Sequence, residues 1–115
     1  MTLYGISNCT TVRKARAWLD AHGHAAGFHD YKRDGVDAAW LRGVVAQTGW
    51  QPLLNTRGTT WRRLDPAAQA AAADEAGAIA LMLAQPSVIK RPLLERDGRY
   101  HIGFTDDQYL ALFGA

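Results

Sequence analysis

The chain is short of cysteine: there is one, Cys9, in 115 residues. No internal disulfide can form, so any disulfide made by this protein joins it to a second molecule. A lone thiol suits a reducing compartment, and a cytoplasmic location is the expectation. Charge of one sign is also scarce. Thirteen Lys and Arg against eleven Asp and Glu leave a formal charge of +2, which reads as a solvated surface and not as a nucleic-acid footprint. Long hydrophobic runs are missing. The longest, Ala76 to Ala84, is interrupted by Gly77 and falls well short of the roughly 20 residues that span a bilayer. No basic segment followed by an apolar core marks the N-terminus, so no secretory signal is expected. Glycine-rich phosphate loops are absent. His22, His24, His29 and His101 do not stand at metal-ligand spacing with Cys9, so no metal site is expected. No linker rich in proline, glycine or serine divides the chain, and it reads as one domain over 1–115.

What is present is an alternation of element signals. Thr2 to Ile6 reads as a strand, Ser7 to Thr10 as a turn, and Thr11 to His22 as a helix with Val12, Ala15 and Leu19 on one face. Ala26 to Tyr31 reads as a second strand. Asp37 can cap a helix carrying Trp40, Leu41, Val44 and Val45 that ends near Gly49. Pro52 to Thr60 reads as polar and irregular. Asp65-Pro66 is a helix start, and an alanine-rich stretch follows as two short helices, the second holding Ile79, Met82 and Leu83. Asp97-Gly98 sits between two strand-like runs and predicts a hairpin. Thr105 to Gln108 has capping-box spacing, with Phe104 and Tyr109 placed as a hydrophobic staple. A βαβ unit, a helical insert at about 36–85 and a ββα unit make an α/β, thioredoxin-like fold with a mixed sheet.

Cys9 stands at the strand-to-helix junction. Unpaired N–H groups and the positive end of the helix dipole favour an anion there, so the thiol pKa should fall and the thiolate become reactive. A buried, inert cysteine is the competing reading, since free cysteines are commonly buried. A tyrosine-phosphatase loop is excluded, because Cys-x5-Arg would need arginine where Ala15 stands.

The run from Tyr4 to Ala15, the block Asn55 to Arg62, the block Ile89 to Leu93 and the closing Gly103-Phe104 resemble the ArsC/Spx family, in particular its small YffB-like branch. The resemblance covers essentially the whole chain. It implies a thiol-dependent reductase with Cys9 as nucleophile, Asn8 and Thr10 as hydrogen-bond donors to the sulfur, and Arg13 at Cys-x-x-x-Arg spacing. It implies that Arg57 and Arg91 bind an oxyanion or a glutathione carboxylate, a task suited to the planar guanidinium. It also implies that Pro92 is a cis-proline lying against the cysteine. Without a resolving cysteine, glutathione is the expected co-substrate and glutaredoxin a possible partner. No bound cofactor is expected. The substrate would be a small-molecule or protein disulfide, a mixed disulfide or an arsenate-like oxyanion, and the protein a monomer. The family's third arginine falls at or near Phe104, which puts arsenate turnover in question unless Arg96 or Arg99 fills the gap. The alternative is an Spx-like regulator that binds RNA polymerase or another protein without catalysis. Val12 occupies the second cysteine position of the Spx dithiol, so that switch is excluded.

Overall fold

The computed structural model describes residues Met1 to Gly114. Its contacts separate two compact units, one built from Met1–Asp30 and the chain from Arg91 onward, the other from Tyr31–Lys90.

The first unit holds a four-stranded sheet in the order β2-β1-β3-β4. The strands are β1 (Thr2–Gly5), β2 (Gly27–Asp30), β3 (Leu93–Arg96) and β4 (Arg99–Ile102). β1 pairs parallel with β2 and antiparallel with β3, so the sheet is mixed. The parallel pair requires a crossover, and helix α1 (Thr10–Ala21) supplies it. β3 and β4 form the hairpin foreseen from Asp97-Gly98, with both turn residues at positive φ, 54° and 78°. Leu3 and Leu94 stand opposite each other in register. On that face they pack with Val12, Ala15, Trp18 and Leu19 of α1 and with Tyr109. Tyr109 belongs to the closing helix, Asp106–Phe113, numbered α8 below. The Thr105 hydroxyl accepts from the Gln108 N–H at 3.0 Å, and Phe104 meets Tyr109 edge-on at 4.7 Å, which is the expected cap and staple. The Gln108 amide, however, donates to the Ile102 carbonyl, tying the helix to β4 instead of closing the box.

The second unit is helical: α2 (Tyr31–Asp34), α3 (Ala38–Thr48), α4 (Trp50–Leu53), α5 (Thr59–Arg63), α6 (Pro66–Ala71) and α7 (Glu75–Ala84), then a 3-10 turn at Pro86–Val88. Asp37, Asp65 and Asp74 each accept a backbone N–H at the start of their helices. Two expectations need correction. The second strand stops at Asp30, and Tyr31 opens α2 instead. The segment Pro52 to Thr60 is not simply irregular: it contains the end of α4, a β-bridge between Leu54 and Ile89, and the start of α5. Helices this short carry no readable 3.6-residue period and are held by packing instead of propensity. No helix among the described residues is long and apolar enough to cross a membrane.

Candidate active site at the Cys9 turn

β1 delivers the chain to a tight turn that ends at Cys9, where the Cys9 N–H donates to the Ile6 carbonyl at 3.1 Å. Cys9 is the N-cap residue of α1, in extended conformation, and the Arg13 N–H donates to its carbonyl at 3.0 Å. The first turn of α1 carries no acidic residue to compete for the helix terminus. The thiol is half-buried and packs against the core shared by α1, the sheet and α8.

Partial burial pushes the Cys9 thiol up, but the opposing influences win and its pKa lies below the ordinary thiol value. They are the backbone N–H of Val12, a hydrogen bond from the Arg91 side chain, the backbone N–H of Thr11 and the Arg91 charge. All of them favour the anion, because each offers a donor or a positive charge to a sulfur that accepts strongly only when deprotonated. Arg91 comes from the segment that leads into β3, and the Arg91–Pro92 peptide bond is cis. Pro92 is buried, next to Leu93 at the start of β3.

The other expected residues are placed differently. Asn8 and Thr10 are exposed, and the donors to the sulfur are the backbone N–H groups of Thr11 and Val12 in place of these two side chains. Arg13 turns away from the thiol: its Nε donates to the Ser7 carbonyl at 3.3 Å. The Ser7 N–H in turn donates to Oδ2 of Asp30 at 3.3 Å. Asp30 is a buried carboxylate, at 7% exposure. The Ser7 backbone is therefore held on both sides, by a carboxylate on its N–H and a guanidinium on its carbonyl. Sequence reasoning missed Asp30. Its signal was an acidic residue closing a short strand, the one residue of β2 that is buried.

Arg57 lies in the helical unit, exposed, in the turn before α5, where its N–H donates to Oδ1 of Asn55 at 3.1 Å. Arg96 donates to the Leu112 carbonyl and lies 4.5 Å over the Phe113 ring, so it is engaged with α8. Arg99 faces it across the hairpin and is exposed. Val12 is fully buried in the core, so the second cysteine position of an Spx dithiol is filled by an aliphatic side chain here.

Comparison with known proteins places the chain in a family. The ArsC family profile matches residues 4–112. An uncharacterised Haemophilus influenzae protein is 42% identical over 98% of both chains. The global transcriptional regulator Spx of Streptococcus mutans is 29% identical, over 96% of this chain and 81% of its own length. Among solved structures, a YFFB protein superposes with a TM-score of 0.90 at 56% identity, covering 96% of each chain. An arsenate reductase related protein from Brucella melitensis gives 0.79 at 49% identity, over 99% of this chain and 94% of its own. The fold, the matched span and these relatives together make the chain a member of the ArsC family, similar to its YffB and arsenate-reductase-like proteins.

Proposed function

We propose that this protein is a glutathione-dependent thiol reductase whose nucleophile is the Cys9 thiolate. The observation that carries the proposal is the convergence of Arg91 and the Thr11 and Val12 N–H groups on one half-buried sulfur. The thiolate attacks one sulfur of a disulfide or mixed disulfide. A new bond from Sγ forms, the S–S bond breaks, and the departing thiolate takes the electron pair and then a proton from water. Glutathione thiolate next attacks the mixed disulfide at the substrate-derived sulfur and releases Cys9 as thiolate. One glutathione is consumed and leaves as the new mixed disulfide, so electrons and atoms balance. External resolution is required because the chain has no second cysteine. Glutaredoxin would reduce the glutathionyl product. The role of Arg57 as an anion-binding group rests on the family resemblance alone.

Arsenate is a weaker substrate on this reading. Phe104 stands where the resemblance calls for a third arginine, and Arg96 is engaged with α8. Loss of one preorganised donor typically costs about 10²–10³ in rate.

Intact mass spectrometry after incubation with oxidised glutathione, with and without arsenate, tests the proposal. A single glutathionyl adduct that is removed by reduced glutathione and lost in Cys9→Ser is expected. Thiol-disulfide turnover that survives Cys9→Ser would overturn it.

A further inference from the structure

A groove of about 650 Å³ runs between α1 and the segment that opens α8, lined by Thr11, Lys14, Ala17, Trp18, Phe104, Thr105 and Asp106. We propose that this groove seats the γ-glutamyl arm of glutathione, with Lys14 on its α-carboxylate and Asp106 on its α-ammonium group. The inference rests on the reading of Cys9 as a glutathione-using thiol and names the surface that recognises the tripeptide.

Three observations lead here. The groove starts at the helix end that carries the thiol: the Thr11 N–H acts on the Cys9 sulfur, and Thr11 also lines the groove. Cys9 and Phe104 pack against the same core cluster, so the sulfur and the groove wall share one support. A glutathione joined to Cys9 through its central cysteine has an arm on each side, and this groove, sharing Thr11 with the thiol's donors, can take one of them.

The walls carry opposite charges. Lys14 comes from α1 and Asp106 from the first turn of α8, and both are exposed. Neither has an ion-pair partner among the described residues. A groove with an unused cation on one wall and an unused anion on the other is complementary to a zwitterion. The γ-glutamyl group is such a zwitterion, with carboxylate and ammonium on one carbon. Phe104, half-buried, supplies aromatic surface for the methylenes of the arm beside the edge of the largely buried Trp18, and both are fixed by edge-on contacts with buried Tyr109, at 4.7 and 5.4 Å. Thr11, Lys14 and Trp18 stand at i, i+3 and i+7 and so share one helix face. The size lies within the range of small-molecule sites.

The test compares two disulfides on the full chain. Second-order rates of Cys9 modification are measured with oxidised glutathione and with bis(2-hydroxyethyl) disulfide, which has no γ-glutamyl group and no charge. Lys14→Ala and Asp106→Asn should each slow the glutathione reaction about fivefold, the scale of an exposed ion pair, and leave the hydroxyethyl reaction unchanged. The difference should shrink at high ionic strength. Arg16→Ala, on α1 over the Phe28 ring, should behave as wild type with both. Wild-type rates with oxidised glutathione in both groove variants, or equal slowing with both disulfides, would overturn the groove assignment while the thiol chemistry stood. A wild-type Cys9 that reacts with the hydroxyethyl disulfide and not with oxidised glutathione would overturn the glutathione reading itself.

Discussion

The two compact units divide the work of the chain unequally. The sheet-bearing unit contains the thiol, its anion-stabilising donors and the buried carboxylate that anchors its turn. The helical unit contains short helices started by aspartate caps and filled by Leu41, Val44, Val45, Ala78 and Met82. Reactive chemistry sits on the unit with long-range strand pairing because precise placement needs several distant segments to converge. Cys9, Asp30 and Arg91 come from three places in the sequence, and only the sheet brings them to one turn. The helical unit relies on local hydrogen bonds and close packing, so its failures should be failures of stability and not of chemistry.

That contrast can be broken first at Gly77. A Cβ there would lie 1.7 Å from the Ala71 carbonyl oxygen, a backbone atom that cannot swing aside. Gly77→Ala should destabilise the helical unit by about 3 kcal/mol, the upper range of overpacking, read as a lower urea midpoint. The pH profile of Cys9 alkylation in the folded variant should stay as in wild type. A displaced profile would show that the helical unit tunes the thiol.

The reverse case is Arg91→Ala. It removes both a hydrogen bond and a charge from the thiolate, and thiolate reactivity at neutral pH should drop about tenfold, the scale of one charge-assisted hydrogen bond. The alkylation inflection should move up in pH. A sign follows for stability as well. The folded pKa of Cys9 lies below its unfolded value, so the unfolded chain binds more protons between the two. Wild type should therefore gain stability relative to Cys9→Ser as pH rises through that window and lose the gain as pH falls through the folded pKa. Thermal unfolding of both proteins across neutral to alkaline pH checks it.

A more indirect effect on the thiol should come from Asp30. Asp30→Ala leaves the Ser7 N–H without its acceptor, at a cost of about 1–3 kcal/mol, and should loosen the turn enough to raise the alkylation inflection. Asp30→Asn keeps an acceptor oxygen and should restore the wild-type profile. If both variants titrate alike, Asp30 supports the fold and does not position the thiol.

The smallest effect sharpens the picture of the shared core. The Tyr109 hydroxyl is buried with no hydrogen-bond partner among the described residues, and burial pushes its phenol well above the ordinary range. Removing an unsatisfied buried group is nearly neutral or stabilising, so Tyr109→Phe should keep or raise the melting temperature. A clear drop would reveal a partner for that hydroxyl.

Features that depend on neighbours a few residues apart are legible in the sequence. The aspartate caps, the Asp97-Gly98 hairpin, the Thr105 cap and the face of α1 defined by Val12, Ala15 and Leu19 all follow from local hydrogen bonding and periodicity. So does the address of Cys9 at a helix start. Tertiary structure alone decided where the long side chains go. Arg13, four residues from the thiol in sequence, holds the Ser7 carbonyl, while Arg91, eighty-two positions away, reaches the sulfur. Arg96 lies over Phe113 in α8, and Asp30 reaches a Ser7 N–H twenty-three residues earlier. A guanidinium or carboxylate has many local rotamers of similar energy, and the choice among them is made by partners that the folded sheet brings near.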